Sequence, residues 1–83
     1  MIELVFLASI RERLGCGRLS FDLGQVSMTV AELSGCLALR GDLWRQVLLD
    51  DRVLVAVNQQ LCQADSIVQA GDEVAYLPPV TGG

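Results

Sequence analysis

Residues 29–40 read TVAELSGCLALR, and the first four, Thr29-Val30-Ala31-Glu32, have the spacing of a capping box. In such a box the threonine hydroxyl accepts a hydrogen bond from the glutamate amide, and the glutamate carboxylate accepts one from the threonine amide. Two donors that a helix start leaves open are satisfied at once. The pattern predicts a helix from Val30 to about Arg40 with Val30, Leu33 and Leu37 on one face. Arg40 falls in the last turn, where a cation is favoured, and Gly41 is expected in the left-handed conformation just past it. Gly35 inside the helix costs about 1 kcal/mol relative to alanine.

What flanks this helix decides the fold class. Upstream, Ile2–Ala8 (IELVFLA) is short and rich in β-formers, which predicts a buried strand. SIRERLG reads as a brief turn or helical loop, and Leu19, Phe21 and Leu23 alternate with Ser20 and Asp22 as a second strand, giving a hairpin. Downstream, Asp42 is the expected N-cap of a shorter helix carrying Trp44, Val47 and Leu48 at packing spacing. Asp50-Asp51 break it. Val53–Val57 reads as a third strand, apolar on both faces, so neighbours are expected to cover both. Asn58-Gln59-Gln60 is a turn into a short strand at 61–63, and Asp65–Gln69 is expected to form one helical turn. Gly71-Asp72 punctuates the chain before a last strand, Glu73–Leu77, which Pro78 stops.

The order ββαββ, with apolar strands at both ends of the chain, has few economical solutions. Hairpins lie to either side, the helix crosses one face, and the first and last strands pair in parallel at the centre. This α+β arrangement is similar to the β-grasp of ubiquitin-like proteins. The expected organisation is one domain over residues 1–78 and an extended C-terminal tail over 79–83.

Composition narrows the function. The chain has 83 residues, 52% hydrophobic and 19% charged, with net charge −4. That suits a small folded domain, and it is too apolar for disorder. All six basic residues are arginines without a cluster, which argues against nucleic acid, since phosphate binding needs a concentrated positive stripe. Lysine is absent, so no ε-amine is present to be acylated by an activated copy of the same chain. Cys16, Cys36 and Cys62 are odd in number and far apart, and histidine is absent. Neither a zinc site nor a disulfide framework follows, and the thiols are expected reduced and partly buried. No basic n-region precedes the short apolar opening, and no run approaches the roughly 20 residues that span a bilayer. A cytosolic protein without membrane association is expected.

Strand parity points to a partner. Glu3, Val5 and Leu7 share one face of the first strand, and Glu73, Ala75 and Leu77 one face of the last. The glutamates mark the solvent side, yet Val5, Leu7, Ala75 and Leu77 form an apolar strip there, which Leu61 extends. Such a strip marks a partner site, unless the loop around 11–17 covers it. It also leads into the tail, LPPVTGG. Pro78 and Pro79 direct the chain stiffly outward. Val80–Gly83 then reaches at most about 14 Å. Lacking side chains, Gly82 and Gly83 can thread a channel too narrow for other residues.

Here the resemblance becomes specific. MIELVFLA, VLVAVNQ, AGDEVAYLPP and above all PPVTGG resemble the small, sulfur-carrying subunits of molybdopterin synthase along the whole chain. The resemblance implies that the Gly83 carboxyl is adenylated by a ubiquitin-activating-like adenylyltransferase consuming ATP, then converted to a thiocarboxylate by a sulfur donor protein. No cofactor and no metal is bound by the chain itself. It implies assembly with the large catalytic subunit as a heterotetramer, where the sulfur passes to cyclic pyranopterin monophosphate in molybdenum cofactor biosynthesis. Gly83 would carry adenylate and sulfur, Gly82 would thread beside it, and Thr81, Val80, Pro79 and Pro78 would line the entry channel. Leu7, Leu61 and Leu77 match the family's subunit interface, with Val5 beside them. Many relatives place an aromatic residue before the prolines, where this chain has Leu77. The acidic balance suits a basic partner. Asp50-Asp51 and Asp72-Glu73 read as turn residues and solvated charge. A sulfur carrier for thiamine thiazole synthesis and a ubiquitin-like protein modifier remain alternatives of similar chemistry.

Overall fold

The computed structural model describes residues 1–79; the expectations placed on Val80, Thr81, Gly82 and Gly83 lie outside the described residues. Strands β1 (Ile2–Phe6), β2 (Arg18–Phe21), β4 (Leu54–Val57), β5 (Gln60–Leu61) and β7 (Glu73–Leu77) form one sheet in the order β2-β1-β7-β4-β5. β1 and β7 pair in parallel at its centre, and the remaining pairs are antiparallel. This is the β-grasp topology expected from the ββαββ pattern. Helices α1 (Ala8–Leu14), α2 (Val30–Ala38) and α3 (Asp42–Leu48) complete an α+β fold.

The core lies between α2, α3 and one face of the sheet. Ile2, Leu4 and Phe6 of β1 and Val74 and Tyr76 of β7 are buried against Leu33, Leu37 and Val47. Phe6 stacks on Tyr76 with ring centroids 5.8 Å apart and meets the edge of Trp44 at 5.5 Å. The Arg40 guanidinium covers the Trp44 ring at 4.5 Å, a cation–π contact. Tyr76 and Ser34 share a buried hydrogen bond of 2.8 Å, which satisfies both hydroxyls. Burial pushes the tyrosine hydroxyl up to about 12, with the Ser34 hydrogen bond opposing it.

Both halves of the capping box are present: Glu32 N donates to Thr29 Oγ1 at 3.1 Å, and Thr29 N donates to Glu32 Oε1 at 2.8 Å. The next two free amides of α2 go elsewhere. Val30 N donates to Ser66 O and Ala31 N to Ala64 O, both at 2.9 Å. That stitching explains a correction. The helical turn expected at Asp65–Gln69 is a turn at 64–65 followed by strand β6 (Ile67–Gln69), which pairs with an unforeseen strand β3 (Ser27–Thr29). β-branched Ile67 and Val68 favour that outcome.

Smaller corrections follow from local geometry. SIRERLG belongs to a full helix, α1, which buries Ile10 and ends on Gly15 in the left-handed region at φ 67°. α2 ends at Ala38, so Arg40 lies beyond it, and Gly41 adopts φ 156°, ψ 170° rather than a left-handed helical cap. Gly41, not Asp42, is the N-cap of α3, with Asp42 in the first turn. Asp50 closes a turn by accepting from both the backbone and the guanidinium of Arg52. Those bonds hold its carboxyl down at about 2.

The β4–β5 hairpin turns on two residues, Asn58 at φ 51° and Gln59 at φ 71°. Two consecutive positive φ angles are the signature of a type I′ turn, whose second position favours glycine. Asn58 is anchored by its side chain, which donates to Asp72 Oδ1 and accepts from Glu73 N, each at 3.0 Å. Among the described residues the Gln59 side chain has no such anchor. Gln59→Gly is therefore expected to raise unfolding stability by about 0.5–1 kcal/mol, read as a higher urea midpoint with an unchanged slope.

Candidate functional site

The face of the sheet opposite the helices is built of rows of paired residues. One row runs Leu61, Ala56, Ala75, Val5 and ends on Arg18. Two residues nearer the end of β7, Leu54 lies opposite Leu77, and Leu7 stands beside them with its amide bonded to Tyr76 O at 3.0 Å. At the other end the face turns polar, with Glu73 opposite Glu3 and Glu3 opposite Ser20. Arg18 reaches across, with Nε 3.6 Å from Glu3 and Nη2 3.4 Å from Glu73. Exposed pairs of this kind add little stability; they fix which end of the face is charged.

Side-chain size shapes the surface. The two alanines sit at the centre, and larger aliphatic side chains rise around them. The result is an apolar hollow of about 530 Å³ lined by Val5, Leu7, Ala56, Leu61, Ala75 and Leu77, with Arg18, Gln59 and Glu73 at its rim. Leu61 is 67% exposed and Leu7 39%. Val5, Ala75 and Leu77 are half-buried. The structure thus brings together all five apolar residues that the sequence places on this strip, Val5, Leu7, Leu61, Ala75 and Leu77. The segment around 11–17 does not cover it, because α1 turns to the helix side and packs against α3.

Ala56 and Leu54 were missed. β4 is apolar at every position, so its parity carried no information, and the expectation that neighbours cover both of its faces is corrected: its outer face helps to form the hollow. Arg18 was missed as well, since its place at the end of the apolar row follows only from strand register. Cys16 and Cys62 are half-buried, but Cys36 is exposed on α2, against the expectation of partial burial. Among the described residues no group of three or more His, Cys, Asp or Glu side chains is placed to hold a metal. No described helix is long and apolar enough to cross a membrane.

The strand that carries Ala75 and Leu77 continues directly into the tail. Pro78 is half-buried and Pro79 exposed. Lacking an amide hydrogen, Pro78 ends the ladder at Leu77. The hollow therefore adjoins the point where the chain leaves the sheet.

Comparison with known proteins places this architecture. A model of the ThiS family matches residues 4–83. The chain belongs to the ThiS family. Within reach of that family are the molybdopterin synthase sulfur carrier subunits of Escherichia coli, 40% identical, and Haemophilus influenzae, 39% identical, each over 83 residues that span the whole of both chains. The fold is shared with a structure described as a complex of subunits 1 and 2 of molybdopterin-converting factor from Helicobacter pylori. That match has a TM-score of 0.66 at 22% identity and covers 99% of this chain and 97% of the other.

Proposed function

We propose that this ThiS-family chain is the sulfur carrier subunit of a molybdopterin synthase. The observation that carries the reading is the apolar hollow of the sheet set beside the exit of a tail ending in Gly82-Gly83. Two full-length relatives bearing the sulfur carrier name support it.

The chemistry assigns the folded body and the tail different tasks. A carboxylate is a poor electrophile. Attack of a Gly83 carboxylate oxygen on the α-phosphorus of ATP, in a ubiquitin-activating-like partner, expels pyrophosphate and leaves a mixed anhydride with AMP. Hydrosulfide supplied by a donor protein then attacks the carbonyl carbon and expels AMP with its electron pair, giving a thiocarboxylate and releasing the proton to solvent. That anionic sulfur is itself the nucleophile, so the chain needs no general base of its own. In the large subunit, Gly83 delivers sulfur to cyclic pyranopterin monophosphate while Pro78–Gly82 occupy the channel. Leu7, Leu61, Leu77 and Val5 hold the body in register. These steps suit a cytosolic setting, where ATP is available.

Intact-mass analysis tests the proposal. After incubation with the activating enzyme, ATP and a sulfur source, one oxygen is expected to be replaced by sulfur, located on Gly83 by fragmentation. An unmodified carboxyl under conditions that load the Escherichia coli relative would overturn the reading.

A further inference from the structure

The hollow adjoins, past the C-terminal end of β1, a shallow groove of about 300 Å³ lined by Val5, Phe6, Leu7, Arg11, Gly17 and Arg18. Val5, Leu7 and Arg18 are walls of both concavities. Two guanidinium groups therefore stand at the margin of an otherwise apolar surface, and their electrostatic situations differ. Arg18 is compensated by Glu3 and Glu73. Arg11 is exposed and forms no ion pair among the described residues.

The place of Arg11 is shaped by a glycine. Its side chain lies across Gly17, where a Cβ would stand 3.1 Å from Arg11 Nε and 3.4 Å from Cδ. Gly17 is itself held by the sheet, its carbonyl accepting the Phe6 amide at 3.0 Å. The cation is thus laid on the backbone at the start of β2, along the apolar row.

A protein that fills the hollow also covers this groove, because the two share walls. Covering Arg11 removes water from a cation that forms no ion pair among the described residues, and an uncompensated buried charge opposes binding. The partner must supply an acceptor. A carboxylate matches the planar fork of a guanidinium with two parallel hydrogen bonds. We propose that Arg11, seated over Gly17, receives an Asp or Glu side chain of the large synthase subunit and fixes the register in which the sheet face docks. The inference rests on the synthase-subunit reading above and adds the chemistry of one contact to it.

Titration calorimetry of the purified cognate large subunit with full-length carrier tests it. Wild-type and Leu61→Asp carriers report on the interface as a whole, and Arg11→Gln, Arg11→Lys and Arg11→Glu on the groove. Arg11→Gln is expected to weaken binding by about 30-fold, Arg11→Glu by more, and Arg11→Lys by less, since it keeps the charge and loses the fork. The gap between wild type and Arg11→Gln should narrow as salt is raised. Thermal unfolding is expected to be the same for all three groove variants, because the side chain is exposed. If the Arg11 variants bind within about twofold of wild type while Leu61→Asp fails, the groove proposal is wrong and the interface stands. If the wild type does not bind, both fall.

Discussion

Removal of Gly83 is expected to abolish sulfur delivery while leaving association with the large subunit intact. The shortened chain ends on the carboxyl of Gly82, withdrawn from its place by one residue, about 3.3–3.6 Å of extended backbone. A displacement of only 1 Å at a reacting group can cost about 100-fold in rate. A whole residue therefore takes turnover below detection. None of the residues that line the hollow is touched, so the binding isotherm should match that of the full chain. The measurement is molybdopterin formation from cyclic pyranopterin monophosphate, with a titration of the large subunit alongside. Turnover by the shortened chain would place the transferred sulfur elsewhere, and the exposed Cys36 thiol would be the first position to inspect.

That separation between tail and body mirrors what local sequence could convey. The capping box was legible because Thr29 and Glu32 lie three residues apart and make their bonds with each other. The parallel centre was legible because β1 and β7 carry apolar residues on both faces, as central strands do. Strand β3 was not. Three residues, Ser27–Thr29, are too few for their alternation to be told from chance, and they extend because β6, far along the chain, pairs with them. The same distant segment accepts the first amides of α2 through Ala64 and Ser66, so what reads alone as a helical turn is held as a turn and a strand. The candidate site divides along the same line. Val5, Leu7 and Leu77 could be placed by parity because a glutamate marked the wet face of each strand. In β4 no polar residue marks either face, and Ala56 and Leu54 were assigned only by their partners Ala75 and Leu77.

Leu61→Asp is expected to raise the dissociation constant for the large subunit by at least about 100-fold with little change in the fold. Leu61 is 67% exposed in the free chain, and substitutions at such positions usually shift stability by no more than about 0.5 kcal/mol. Its contribution to folding is therefore small. On the docked face the accounting differs. Burying a leucine side chain is worth about 1.5–3 kcal/mol, and the aspartate replacing it would be a carboxylate pressed into an apolar contact, which adds a desolvation penalty. Even the lower bound of the first effect, joined to a modest second, exceeds the roughly 2.7 kcal/mol that corresponds to 100-fold. Leu61→Ala separates the two effects, since it removes the apolar contact without adding charge and should lose less. Ala56→Leu approaches the same surface from the opposite direction. It fills the hollow, so a partner side chain that enters between Leu61 and Leu77 would be excluded, although no charge changes. Weak binding by all three variants, with unchanged urea midpoints for Leu61→Asp and Leu61→Ala, would locate the contact at this hollow. Full binding by Leu61→Asp would move the interface off this face of the sheet, and the tail would then enter its partner without the apolar strip to guide it.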